Sequence, residues 1–206
     1  MASGWTATKV AGNLSYPRGI VVDKEGRLLL VEDGLGITQH TLTDEGCIES
    51  SRLLIASDGI NTFGINHGIY LSLDGNTLYA SGQTTAWRFS YNATGGDIYG
   101  DTNGTVLVDG MNPTGHATRT LIIPPHAPNL LVVSHGSDDN IDLGSIDPAS
   151  SRAVVKVFDL SKVPDGGYNY VRDGYLMGYG LRNEVALAFD GNNMLVSIPS
   201  TQGHQN

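Results

Sequence analysis

Short apolar runs alternate with tight polar turns along the chain, and one pattern of run, turn and second run occurs four times. Such runs, rich in Val, Ile and Leu and bounded by Gly, Asn or Asp, are typical of β-strands joined as hairpins. A helix would need apolar positions at a spacing of about 3.6 residues over a longer stretch, and the sequence has none. The four pairs of runs are residues 19–23 and 28–31, 67–73 and 78–80, 119–123 and 130–133, and 185–189 and 194–196. The pattern predicts an all-β chain.

The four pairs are spaced like the blades of a β-propeller. Their equivalent leucines, Leu29, Leu78, Leu131 and Leu195, are 49, 53 and 64 residues apart. A propeller blade takes about 40 to 50 residues, so each unit has room for four strands and an extended loop. A β-sandwich is the alternative, but its strands recur without this longer period. We therefore expect one domain over residues 1–206, an incomplete propeller of three to four blades that ends before a closing strand.

Composition and charge narrow the possible functions. The net charge of -9 disfavours nucleic acid and anionic membranes as partners, because their binding depends on clustered Lys and Arg. No apolar run approaches the 18 residues of a membrane-spanning helix. The single cysteine, Cys47, excludes an internal disulfide and a Cys-rich zinc site, and we expect it to be a small buried thiol.

Three segments carry a family resemblance. They are Ile-Asn-His-Gly-Ile at 65–69, Gly-His-Ala-Thr-Arg-Thr-Leu at 115–121 and Gly-Leu-Arg-Asn-Glu-Val at 180–185. In order and spacing the chain resembles the fungal pyrroloquinoline-quinone (PQQ)-dependent pyranose dehydrogenases, within the glucose/sorbosone dehydrogenase group. The resemblance covers about the first half of a family domain, which is a six-bladed β-propeller. It implies an extracellular protein, although residues 1–5 lack the apolar stretch of a secretion signal.

The resemblance implies roles for five residues. His116 matches the family's catalytic base, and a histidine suits that role because its pKa lies near the working pH. Arg182 and Asn183 match the quinone-contacting pair, where a guanidinium can pair with a cofactor carboxylate. Asn66 and His67 occupy the corresponding position in the second blade, so cofactor contact is expected there too. Loop and turn hydrogen bonding remains an alternative role for each of the five.

Two departures from the family pattern concern the cofactors, which by resemblance are PQQ and calcium. His135 stands where an arginine facing the quinone is expected, and a neutral histidine cannot replace that cation. Residues 198–204 contain no carboxylate where the family has a calcium-holding loop, so the metal site is expected to be incomplete and its ligands are unassigned. The acidic cluster Asp138, Asp139 and Asp142 lacks the spacing of a calcium loop and is interpreted as a solvated loop.

The leading functional hypothesis is a sugar dehydrogenase domain. It would oxidise a sugar hydroxyl by hydride transfer to PQQ, with a possible redox partner protein, and this chain alone is expected to be inactive. A non-catalytic binding propeller is one alternative, since fold alone does not fix function. A calcium-dependent lactonase-like propeller is another; it needs a carboxylate-rich metal centre, for which Glu32 and Glu184 are the candidates.

Overall fold

The computed structural model describes residues 3–57, 64–192 and 194–199. Strands make up 41% of these residues and short 3-10 helices 5%, as the sequence predicted. Among the described helices, none is long and apolar enough to cross a membrane. The 3-10 helices are Leu143–Ile146, Pro148–Ser150 and Leu160–Lys162.

The strands form three antiparallel blades and a final hairpin within the described part of the chain. Blade 1 contains β1 (Pro17–Val22), β2 (Leu28–Glu32), β3 (Gly36–Leu42) and β4 (Ile48–Ala56). Blade 2 contains β5 (Ile69–Leu71), β6 (Thr77–Ser81), β7 (Ala86–Ser90) and β8 (Thr105–Asp109), with β12 (Tyr168–Asn169) added parallel to β8. Blade 3 contains β9 (Leu121–Ile122), β10 (Leu130–His135), β11 (Val154–Asp159) and β13 (Tyr175–Tyr179). The final hairpin is β14 (Glu184–Phe189) with β15 (Leu195–Pro199).

The first hairpin of blade 1 and the final hairpin close through the aspartate turns that the sequence indicated. In blade 1, Asp23 Oδ1 accepts a hydrogen bond from the Arg27 amide at 2.8 Å, and Gly26 adopts the left-handed φ of +79°. In the final hairpin, Asp190 Oδ1 accepts a bond from the Met194 amide, also at 2.8 Å. These aspartates satisfy turn amides that the strands leave unpaired.

The inner strands β1, β5, β9 and β14 stand side by side around one axis. A Cβ on Gly19 would lie 2.3 Å from His67 O, and one on Gly68 would lie 2.4 Å from Arg119 O. At the next junction Thr120 Oγ1 donates a hydrogen bond of 3.0 Å to Glu184 O. All four strands line one cavity of about 380 Å³. The predicted incomplete propeller is therefore confirmed.

Apolar cores fill the spaces between blades. The core between blades 1 and 2 includes Leu29, Ile37, Leu78, Trp87, Phe89 and Tyr91. The core between blades 2 and 3 includes Leu107, Met111, Leu131, Phe158 and Tyr170. A smaller cluster of Ile122, Val132 and Val155 packs against the final hairpin, including Leu187 and Leu195. Leu78, Leu131 and Leu195 each face the blade before their own, whereas Leu29 faces blade 2, so the leucines of the sequence repeat do not all lie at equivalent positions.

Cys47 and the acidic loop both lie at the surface of the protein. Cys47 is exposed, so the prediction of a buried thiol was wrong; the residue lies in the turn that leads into β4 and not in a strand. In the acidic loop, Arg152 pairs with Asp138 at 3.4 Å and with Asp142 at 3.1 Å. This arginine offsets part of the negative charge, which helps the loop to remain compact without a cation.

Candidate functional site

His116 lies half-buried in the loop that leads into β9, and its ring is oriented by Ser137. The His116 Nδ1 atom is 2.9 Å from Ser137 O and 3.0 Å from Ser137 Oγ. Because a carbonyl oxygen can only accept, Nδ1 must carry the proton. In the neutral ring the Nε2 atom then has a lone pair, and it makes no hydrogen bond to any described residue. This tautomer makes Nε2 available as a base.

Gly136 joins His116 to the pair Arg182 and Asn183. A Cβ on Gly136 would lie 2.7 Å from His116 Cβ, 3.1 Å from Asn183 Oδ1 and 3.2 Å from Arg182 O. The next residue, Ser137, donates its amide to Arg182 O at 2.7 Å. The structure therefore brings together these three predicted site residues, which come from two different loops, around one glycine.

The side chains of Arg182 and Asn183 have different environments. Asn183 is buried, and its Oδ1 accepts a hydrogen bond from Thr118 Oγ1 at 2.6 Å. Arg182 is half-buried, and its guanidinium donates to Asn140 Oδ1 in the acidic loop. A guanidinium and an amide of neighbouring residues can bind a planar ligand that carries carboxylates.

Asn66 and His67 lie close to this group but face different surroundings. Asn66 Nδ2 is 3.5 Å from Ala117 O, in the loop that carries His116, while its buried Oδ1 has no partner among the described residues. His67 lines the axial cavity, with Nε2 3.2 Å from Val185 O. The structure thus associates Asn66 with the His116 loop and His67 with the axis.

Protonation of His67 should make the fold acid-sensitive. Burial lowers the pKa of His67 to about 4, although the contact with Val185 O opposes the shift. The unfolded chain binds this proton first as pH falls below about 6.5, so folding stability declines from there towards pH 4. We expect His67 to account for a loss on the order of 2 kcal/mol between pH 7 and pH 5. Urea unfolding of the wild type and His67→Gln at both pH values measures it, and an equal decline in both proteins would contradict the assignment.

His135 is buried beneath the site. Its Nδ1 is 2.8 Å from Gly136 O, its Nε2 is 3.1 Å from Asn112 O, and its ring centroid is 5.4 Å from that of Tyr170. Burial and the nearby Arg119 lower its pKa to about 3, so the ring is neutral and can donate to one of the two carbonyls. Its expected contact with a cofactor stays a prediction.

Two residues of this region were not singled out from the sequence, Ser137 and Arg119. Ser137 sets the His116 tautomer, and Arg119 is completely buried beside the same loop. Both lie in segments that carry the resemblance, but their residue types alone do not predict these contacts. One feature of the sequence does point to Arg119. It stands directly before an apolar strand, and no acidic residue lies near it in sequence to pair with its charge.

The two expected cofactors fit this site differently. Within the described ranges, no three His, Cys, Asp or Glu side chains are grouped to hold a metal ion, so ligands for calcium stay unassigned. Of residues 198–204, where the family has a calcium-holding loop, residues 200–204 lie outside the described residues. PQQ has three carboxylates, and the cation of Arg182, the Asn183 amide and the Nε2 of His116 fit such a polyanionic quinone.

Comparison with known proteins decides the family. A family model described as TrAA12-like matches residues 1–203. The chain belongs to the TrAA12-like family of PQQ-dependent pyranose dehydrogenases. It is 39% identical to a PQQ-dependent pyranose dehydrogenase of Coprinopsis cinerea over 202 residues, which are 98% of this chain and 27% of that protein. A PQQ-dependent sugar dehydrogenase of Hypocrea jecorina is 33% identical over 93% of this chain and 44% of its own length.

Solved structures of TrAA12-like proteins share the fold. The holo PQQ domain of Coprinopsis cinerea pyranose dehydrogenase superposes with a TM-score of 0.83 at 39% identity, over 91% of this chain and 44% of that one. A Trichoderma reesei family AA12 enzyme gives a TM-score of 0.85 at 33% identity, over 95% and 48%. The chain therefore spans less than half the length of these relatives.

Proposed function

We propose that this chain supplies one side of the quinone and sugar site of a PQQ-dependent sugar dehydrogenase, with His116 as the catalytic base. The observation that carries the proposal is the geometry around Gly136. There the Cβ of His116, the carbonyl of Arg182 and the side-chain oxygen of Asn183 meet around one residue, which supports a shared site for the three side chains. The names of the relatives, a pyranose and a sugar dehydrogenase, support a sugar as the substrate.

In this proposal His116 handles a proton. A sugar hydroxyl at the anomeric carbon donates its proton to Nε2, while Ser137 O keeps Nδ1 protonated and the ring correctly oriented. Bound PQQ would supply the acceptor for the hydride from the same carbon, so the sugar loses two hydrogens and becomes a lactone. The resulting imidazolium can release its proton to solvent, because His116 is only half-buried.

Arg182 and Asn183 are proposed to hold the quinone. The guanidinium pairs with a carboxylate through parallel hydrogen bonds, and the amide can donate to a quinone oxygen. Asn66 Oδ1, a buried acceptor without a described partner, is available to a donor on either ligand. Calcium binding, an extracellular location and a redox partner protein remain part of the proposal by family resemblance.

The two alternative functions receive less support from the geometry. A non-catalytic binding propeller does not require His116 and Arg182 to lie together, yet they do. A lactonase-like metal centre needs several carboxylates, and Glu32 is already engaged by Thr38 Oγ1 at 2.7 Å and by the amide of Ser15. The sugar dehydrogenase proposal uses the observed arrangement directly.

Titration with PQQ tests the proposal. We expect the purified chain to bind PQQ, and Arg182→Met to weaken binding at least about tenfold, since an ion pair to a carboxylate is lost. Arg172→Met removes an exposed arginine elsewhere and should leave affinity unchanged. Dye reduction with aldoses should show little or no turnover, with or without calcium, since the chain spans 27% to 44% of its relatives.

The outcomes of this titration separate the two claims. Equal weakening by Arg182→Met and Arg172→Met, or no binding at all, would contradict the proposed cofactor site. Turnover that disappears in His116→Gln would confirm the base while showing that the prediction of inactivity was wrong.

A further inference from the structure

Arg119 is a buried cation whose partners are almost all backbone carbonyls. The residue has no exposed surface. Its Nη1 donates to His116 O at 2.7 Å and to Thr118 O at 2.9 Å, and its Nη2 to Asn112 O at 2.7 Å. Two further bonds reach Gln83 O at 3.0 Å and Thr114 Oγ1 at 3.3 Å. None of these acceptors is a carboxylate.

Such a cation is expensive to bury. Removing a charge from water costs several kcal/mol, and a carboxylate partner would usually offset it. Burial lowers the pKa of Arg119 to about 10, so the group is still protonated at neutral pH. The carbonyl dipoles that stabilise it come mainly from one loop, residues 112–118. The loop is therefore folded around the guanidinium.

The contacts extend from the guanidinium to the reactive ring. Nη1 contacts the carbonyl of His116 itself, and Thr114 Oγ1 donates to the same oxygen at 3.0 Å. The backbone on the other side of Arg119 is also fixed, because Arg119 O accepts the hydroxyl of Ser81 in blade 2. A rigid, planar fork with several donors can fix several carbonyls at once, which the single point charge of a lysine cannot do.

We infer that Arg119 is a positioning residue for His116: it fixes the backbone of the His116 loop so that the ring meets Ser137 O through Nδ1 and presents Nε2 to the substrate. This inference rests on the proposed role of His116 as the base. Arg119 itself is enclosed by carbonyls and does not touch the substrate. Its contribution is to select one ring orientation and one tautomer.

Nitrogen-15 NMR of histidine-labelled chain tests the inference without any cofactor. In the wild type the His116 ring, assigned by its absence in His116→Gln, should be the tautomer protonated at Nδ1. In Arg119→Met we expect a mixture of both tautomers and amide exchange in residues 114–118 faster by about tenfold or more. Arg119→Lys should not restore the wild-type spectrum, since the fork is missing. An unchanged tautomer in Arg119→Met, or full recovery in Arg119→Lys, would overturn the inference.

Two further variants separate positioning from general loss of stability. Lys156 is another buried cation that donates to carbonyls, with Nζ 2.7 Å from Tyr170 O and 3.1 Å from Val171 O. Lys156→Met should destabilise the fold but leave the His116 signals unchanged; if it mixes the tautomers to the same extent, Arg119 has no specific role. Should Arg119→Met fail to fold, Thr114→Val removes one link without stranding a charge. It should shift the tautomer ratio in the same direction, and no shift would count against the inference.

Failure of the positioning role and failure of the proposed function are distinguishable. The NMR readout reports the His116 ring in the free chain, whereas PQQ titration of Arg182→Met reports the cofactor site. If the His116 ring keeps one tautomer that depends on Arg119 but the chain binds no PQQ, only the proposed function is contradicted. Weakened PQQ binding in Arg182→Met with an unaffected tautomer in Arg119→Met would remove the positioning role alone.

Discussion

Gly68→Ala is expected to lower the free energy of unfolding by about 3 kcal/mol or more, because there is no space for a methyl group between blades 2 and 3. The new Cβ would lie 2.4 Å from Arg119 O and 2.4 Å from Ser81 Oγ. Both atoms belong to the contact through which Ser81 donates to Arg119 O. Because one neighbour is backbone, relief requires the two inner strands to separate. The buried Arg119 would then be displaced as well.

Urea unfolding followed by circular dichroism measures this effect. Gly191→Ala is the matched control, since a Cβ there meets nothing within 4 Å and its φ is not left-handed. That control should be neutral or slightly stabilising, because alanine restricts the unfolded chain. If Gly68→Ala and Gly191→Ala unfolded at the same urea concentration, the close approach of the inner strands would be wrong.

Gly136→Ala is expected to reduce PQQ affinity by at least about tenfold while costing about 1 to 2 kcal/mol of stability. The added Cβ would lie 2.7 Å from His116 Cβ and 3.2 Å from Arg182 O. His116 is a side chain on a loop and can move, so the fold survives but the ring shifts away from Ser137. Displacement of a site group by about 1 Å can cost two orders of magnitude in rate.

Isothermal titration with PQQ, paired with urea unfolding, distinguishes the local effect from a general one. Gly178→Ala is a suitable control in the same blade, because its Cβ would meet Leu181 Cδ1 at 3.3 Å and no group of the site. The affinity of Gly178→Ala for PQQ should equal that of the wild type. Retention of wild-type affinity in Gly136→Ala would show that the cofactor does not use the surface around this glycine.

The sequence allowed the inner half of each blade to be predicted, but not its outer half. The paired apolar runs correspond to the first two strands of each unit. The second strand of each blade, β2, β6 or β10, is buried on both faces, which gives its run a continuous apolar pattern. Strand β4, Ile48–Ala56, is mostly exposed and polar, so its run has no clear period. Strand β12 pairs with blade 2 from far along the chain, and local sequence carries no signal for that pairing.

The residues of the site could be named from the sequence, but the burial and the hydrogen bonds of each side chain could not. Arg182 and Arg119 are the same residue type, each near a strand start, yet one is half-buried and the other has no exposed surface. Only tertiary contacts separate them. The protonated nitrogen of His116 likewise depends on where Ser137 O lies after folding. The resemblance supplied the grouping of His116 with Arg182, which spacing alone could not supply.

The contacts between blades also determine the angle between neighbouring sheets. Near the axis, Gly19 and Gly68 let neighbouring strands come within backbone contact. Further out, the same interfaces contain large rings, Trp87 and Phe89 in one and Phe158 in the other. Each interface is consequently a wedge, thin at the centre and thick at the rim. The curvature of the ring is then a local property, set by the ratio of inner to outer side-chain volume. A larger side chain at an inner glycine would reduce the angle between the two blades that meet there and so flatten the ring at that interface.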